Sequence, residues 1–169
     1  LLLMWAGLYW LWSNELLATG LALGLAGSHL ICMIIFRNFV YVFNYGYAWI
    51  MIIMPIYFGA ISAPPLSALV VLTVVMAYGV RLMHFSWRRY QCESYGERKQ
   101  SADHLSETIP MPVKFVTWLF MVSFMFYIVF NAWVVANGDI FELTVWPAVL
   151  IMIVGLLLET IADNQKQRS

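Results

Sequence analysis

The sequence predicts an all-α fold: a polytopic transmembrane helical bundle with five full spans and a partial N-terminal apolar segment, forming one domain over residues 1–169. Three observations predict it. The chain is 63% hydrophobic and only 11% charged, whereas globular chains carry roughly 25% charged residues. Its mean hydropathy is +0.79, and the apolar residues fall in stretches long enough to cross a bilayer, which takes about 20 helical residues. Lastly, eight of the 9 basic residues collect on one side once those stretches are drawn as spans, as the positive-inside rule requires.

Leu1 to Trp12 is apolar but short, which suits a partial span or an interfacial helix. No basic stretch precedes it and no initiator Met is present, so a cleaved signal peptide is a poor reading and the chain is expected to begin inside a longer precursor. The first full span, 16–36, has no charged residue. The second, 39–61, has none either and carries Pro55, which should kink it and free a carbonyl for a neighbour to satisfy. Pro64-Pro65 cannot continue that helix and sets a tight turn before the third span, 66–87, which contains Arg81 and His84. A polar segment, 88–112, reads as a long loop. The fourth span, 113–136, is followed by Asn137-Gly138-Asp139, and the fifth, 143–162, has Pro147 in its expected first turn, where a missing N–H is harmless.

These boundaries place Arg37, Arg88, Arg89, Arg98, Lys99, Lys114, Lys166 and Arg168 on one face and leave the opposite face without Lys or Arg. The basic face, with loop 88–112 and the C-terminus, is expected on the cytoplasmic side or its matrix or stromal equivalent. An organelle inner membrane, the endoplasmic reticulum and a bacterial inner membrane are all compatible. Cys32 falls within a span and Cys92 in the polar segment, so no disulfide framework is expected. No His, Cys or carboxylate cluster has metal-ligand spacing, no phosphate-cradling glycine motif is present, and nothing supports a nucleic-acid partner. Membrane lipids are the expected surroundings.

Ionisable groups inside a membrane are costly and tend to be paired or functional. In "YGVRLMHFSWRR", Tyr78, Arg81 and Arg88 share a helix face with His84 or Phe85. Arg81 lies about 9 Å inside the span end. It can snorkel to the interface or form a fork for phosphate or carboxylate, with Tyr78 one turn deeper as a donor or general acid. Glu159 and Asp163 stand one turn apart on one face, where like charges in low dielectric need a partner or a proton. Arg81 is the natural partner of Glu159. The pair is then either structural or part of a ligand site in which the acids accept hydrogen bonds. In "FNYGYAW", Asn44, Tyr45 and Tyr47 either line a polar cavity or link helices. His29 reads as a helix-packing residue and His104 as a solvated loop residue.

The chain's end, "GLLLETIADNQKQRS", is similar to an E-x-x-A-D-x-Q helix followed by basic residues. "YGVRL" with "WRR" is similar to an aromatic-G-x-R-L segment before a basic loop. In this order they resemble the steroid 5α-reductase-like integral membrane proteins (3-oxo-5-alpha-steroid 4-dehydrogenases and the DUF1295 type), over roughly residues 40 to 169. The resemblance implies an oxidoreductase that reduces a polarised C=C bond in a lipid or steroid enone with NADPH. It implies Tyr78 as the catalytic donor to the substrate carbonyl, and Arg81, Glu159 and Asp163 as cofactor-binding residues. The sequence departs from the family pattern at two points: span 39–61 holds no carboxylate, and the family's C-terminal basic loop and N-Y-x-G-E-like motif do not follow. The chain as it stands is therefore expected to hold NADPH weakly and to be non-catalytic. The alternative is an accessory, lipid-binding subunit of a larger, organellar energy-transducing membrane complex.

Overall fold

The computed structural model describes residues 19–33, 42–62, 64–92, 95–137 and 142–168. Among them the chain is helical: α1 (Thr19–Met33), a π turn (Val42–Gly46) running into α2 (Tyr47–Ser62), α3 (Leu66–Gln91), α4 (Gly96–Thr108), α5 (Met111–Asn137) and α6 (Glu142–Arg168). Four helices are long and apolar enough to cross a membrane, over Phe43–Ser62, Leu66–Gln91, Met111–Val135 and Val145–Gln165. They make the chain an integral membrane protein in contact with lipid. The first of the five expected spans is described over the 15 residues of α1, about 22 Å of helix at ~1.5 Å per residue, short of the ~30 Å hydrocarbon core. Its expected ends, like the N-terminal segment 1–12 and Arg37, lie outside the described residues.

The core is built where α1, α2 and α5 meet. Phe58, Ile50, Val122, Val129 and Cys32 are buried there, and Phe126 sets its ring edge-on to Phe58 at 6.3 Å, a preferred aromatic geometry. His29 belongs to this packing: its Nδ1 lies 2.9 Å from the Leu25 carbonyl and its Nε2 lies 3.4 Å from the Leu119 carbonyl and 3.3 Å from Ser123 Oγ. The imidazole thus packs between α1 and α5, as the sequence suggested.

α3 crosses α2 closely because Gly79 has no side chain. A Cβ there would stand 2.9 Å from Ile52 and Met51 and 3.0 Å from the Ala48 carbonyl. The Pro64-Pro65 turn forms as expected. Pro65 takes extended angles (φ −64°, ψ 164°), and its carbonyl accepts from the Leu69 amide at 3.0 Å to open α3. α6 is held to α3 by a smaller apolar cluster, Val71 with Val145 and Val149. Contacts of residue 71 with 145 and 149 near one end, and of 81 with 159 and 163 near the other, make α3 and α6 parallel. The C-terminal ends of both therefore lie at the same end of the bundle.

Two expectations need correction. The polar segment 88–112 is not a loop throughout: α3 runs on to Gln91, and α4 follows, with Glu97 in its first turn. An acid there complements the helix dipole, and Ile109, extended at φ −69°, ψ 127°, ends α4 because Pro110 disfavours helical angles before it. Pro147 lies inside α6, which starts at Glu142, rather than in its first turn, so one backbone hydrogen bond is forgone there.

Candidate functional site

α6 touches α3 but leans away from α5, and the space between them is a groove of about 740 Å³ floored by α2 and α3. Its walls are aliphatic for most of their length: Val71, Val74 and Val75 from α3, Ala132 and Val135 from α5, Val145, Ala148 and Met152 from α6. Small residues make this width. Ala132, Ala148 and Gly155 present little side chain where Leu or Phe would close the gap, and a Cβ at Gly155 would meet nothing within 4 Å. Polar atoms enter mainly at one end, from Tyr47, Tyr78 and Glu159, with Asn131 as a further amide on the α5 wall.

That polar end is where the chemistry-bearing residues of the sequence converge. Arg81 Nη1 donates to Glu159 Oε2 at 2.6 Å, and the other guanidinium nitrogen pairs with Asp163. One planar cation thus bridges two acids a helical turn apart, which satisfies the electrostatic demand of both at once. The pair expected between Arg81 and Glu159 forms, and Asp163 joins it. The acids are not equivalent: the Glu159 side chain is 54% exposed and that of Asp163 20%, against 15% for Arg81. The Tyr78 ring lies 5.8 Å from the guanidinium carbon and meets the Tyr47 ring edge-on at 6.2 Å. Tyr78, one turn deeper along α3, is half-buried and faces the groove.

His84 and Arg88, which share a helical stripe with Arg81, are exposed and stand apart from this site. Asn44 and Tyr45 do not line the groove. They line a second, smaller pocket with Arg89, Tyr95 and Lys99, while only Tyr47 of that motif reaches the groove. Sequence reasoning passed over Asn131; a lone amide in the apolar run 113–136 was the available signal. Among the described residues no group of three or more His, Cys, Asp or Glu is arranged to hold a metal ion.

The site can do two things. Tyr78, with Arg81 stacked against it, can donate a hydrogen bond to a neutral acceptor at the groove's end, and the aliphatic walls can bury the rest of an apolar molecule. What the groove's described walls do not offer is a free cation. No Lys or Arg lines it, and the guanidinium of Arg81 is already committed to two carboxylates.

The model of a family described as "Protein of unknown function (DUF1295)" matches residues 38–168, a span that includes Tyr78, Arg81, Glu159 and Asp163. That family is associated with steroid 5α-reductase-like proteins. No curated protein and no solved structure matches the chain significantly.

Proposed function

This chain belongs to the DUF1295 family, and from that premise we propose that its groove binds a neutral lipid whose single carbonyl accepts a hydrogen bond from Tyr78. On this reading the groove is the lipid-binding site of a reductase acting on a polarised C=C bond. The observation that carries the reading is the groove itself: about 740 Å³ of aliphatic space ending on two tyrosines and one guanidinium–carboxylate cluster. Pockets of this size bury most of a drug-sized ligand, with few polar groups fixing its orientation.

The chemistry follows from the residues. An enone in which the carbonyl oxygen gains negative charge during reduction is stabilised by a donor aimed at that oxygen. Tyr78 is such a donor, and Arg81 beside its ring adds positive potential. NADPH, the cofactor implied by the resemblance, is matched only in part. Glu159 and Asp163 can accept from an amide or ribose, but a diphosphate needs cationic or N–H donors, and the described groove walls supply none. No reaction step is therefore assigned to the cofactor on these residues. In the membrane, the end of the bundle carrying Arg88, Arg89 and Lys114 would face the cytoplasm, matrix or stroma.

A second reading, an accessory lipid-binding subunit, draws on the outer face of α6. Ile151, Leu150 and Leu158 are 73%, 64% and 62% exposed, a strip that either lipid or a neighbouring subunit would cover. A titration in lipid nanodiscs separates the two. An enone lipid should bind the unaltered chain, with Tyr78→Phe weakening it about fivefold, the worth of one hydrogen bond. Ala148→Trp, which fills the groove, should abolish binding without lowering the melting temperature. Equal affinity of all three proteins for the enone would overturn the carbonyl-lipid reading and leave the accessory one.

A further inference from the structure

The second pocket lies further along α3, beyond Tyr78 and toward the basic end. Leu82, Phe85, Ser86 and Arg89 project from one face of α3 at i, i+3, i+4 and i+7 spacing. Asn44 and Tyr45 come from the π turn, and Tyr95, Lys99 and Ala102 from α4 and its start. The enclosed volume is about 80 Å³, room for a few waters or one small oxyanion and too little for a nucleotide base or a sterol ring.

Its charge is one-sided. Arg89 and Lys99 both line the pocket, and among the described residues no carboxylate does. The acids of the neighbouring groove, Glu159 and Asp163, are held by Arg81 rather than by these two cations. Both cations rest instead on aromatic rings: the Arg89 guanidinium carbon is 4.8 Å from the Tyr95 ring centre and 5.9 Å from that of Phe85, and Lys99 Nζ is 4.2 Å from that of Tyr90. A ring face orients a cation but accepts none of its in-plane N–H bonds conventionally, so the donor edges stay available to a ligand. Tyr45, Ser86, Tyr90, Tyr95 and Asn44, each with a hydroxyl or an amide, also line the pocket. Two cations in half-buried positions, among hydroxyl- and amide-bearing residues, match the requirements of a phosphate.

Position narrows the source of that phosphate. α3 has 26 residues, about 39 Å of helix against a hydrocarbon core of ~30 Å, so its last turns emerge at headgroup level. Exposed Trp87 marks the same boundary. α4 approaches the bundle here, with Lys99 and Ala102 closing the pocket over α3.

We propose that Asn44, Tyr45, Ser86, Arg89 and Lys99 form a phosphate-ester site at the membrane interface, which takes the headgroup of an anionic phospholipid or the phosphate of a soluble ester and fastens α4 to α3. This site stands whether or not the groove beside Tyr78 binds a carbonyl lipid.

The test uses the full chain, delipidated in a neutral detergent, with binding read by native mass spectrometry. Phosphatidylglycerol and phosphatidylcholine of identical chains form one arm, and inorganic phosphate and NADPH the other. The control is Arg88→Gln: Arg88 neighbours Arg89, is exposed, and does not line the pocket. Generic attraction to anionic lipid is worth about fivefold per basic residue wherever it sits. A built site instead predicts that Arg89→Gln/Lys99→Gln loses about tenfold or more in phosphatidylglycerol affinity while Arg88→Gln changes it by less than about twofold. Tyr45→Phe, which alters no charge, should weaken binding severalfold, and circular dichroism of each variant confirms that it is folded. Loss of phosphatidylglycerol binding alone assigns a lipid source, and loss of phosphate and NADPH binding assigns a soluble one; either supports the site. A loss per charge removed that is the same in Arg88→Gln as in Arg89→Gln/Lys99→Gln, or no loss in either, overturns it.

Discussion

Replacing Arg81 by Met tests whether one guanidinium carries the electrostatics of the groove's polar end. The magnitude follows from exposure. Arg81 donates to Glu159 at 2.6 Å, yet the Glu159 side chain is 54% exposed; a pair so open contributes about 0.5 kcal/mol. Asp163, at 20%, faces a cation at 15%, between the surface limit and the ~3–5 kcal/mol cost of stripping one partner from a buried pair. About 2 kcal/mol is the expectation for that arm. Arg81→Met removes both arms and leaves two carboxylates one turn apart, which adds a few tenths of repulsion, for a total of about 3 kcal/mol. For a chain of this length that lowers the melting temperature by roughly 6–12 °C. The assay is thermal unfolding in a fixed detergent, with Glu159→Gln, Asp163→Asn and the apolar triple Arg81→Met/Glu159→Leu/Asp163→Leu measured alongside. Asp163→Asn should cost about four times what Glu159→Gln does, and the triple should recover most of the stability, because no uncompensated charge remains. A Glu159→Gln loss equal to that of Asp163→Asn, or an Arg81→Met loss below about 1 kcal/mol, would refute the assignment of Asp163 as the principal partner.

Two glycines should respond in opposite ways. Gly79→Ala forces a Cβ against Met51 and the Ala48 backbone, so α2 and α3 must separate at a cost of about 1–3 kcal/mol. Gly155→Ala meets open space and should be neutral or stabilise by up to about 1 kcal/mol through helix propensity; both are read by thermal unfolding. His29→Ala removes the imidazole that lies between the Leu25 and Leu119 carbonyls and should destabilise by about 1–3 kcal/mol.

Much of this arrangement is legible in the sequence because membrane segments obey strong local rules. Apolar runs of bilayer length, a Pro-Pro turn and the one-sided placement of Arg and Lys give spans 66–87, 113–136 and 143–162 within a few residues of α3, α5 and α6. The charge within 66–87 had to find a partner, and the i, i+4 acids of the last span were the only pair at similar depth. Less legible is what depends on helices diverging. The groove exists because α6 packs on α3 through Val71, Val145 and Val149 and leaves α5 at a distance, a relation no local pattern encodes. Segment 88–112 was misread for a different reason. Its charged and polar residues carry no apolar stripe, and its helical character rests on a dipole-complementing Glu97 and a Pro110 stop, signals weaker than hydrophobic periodicity.

The "FNYGYAW" motif serves both cavities. A π turn adds a residue to the turn and recurs where function asks a helix to present side chains off the regular spacing. Here it spans Val42–Gly46. It gives Asn44 and Tyr45 to the small basic pocket and hands Tyr47, two residues on, to the groove, where it meets Tyr78. α3 makes the same division, with Tyr78 lining the groove and Phe85 and Arg89 the pocket. The two cavities therefore share two walls. On the phosphate-site proposal, an anion between Arg89 and Lys99 would fasten α4 to the end of α3, on the same face of α3 that carries Tyr78.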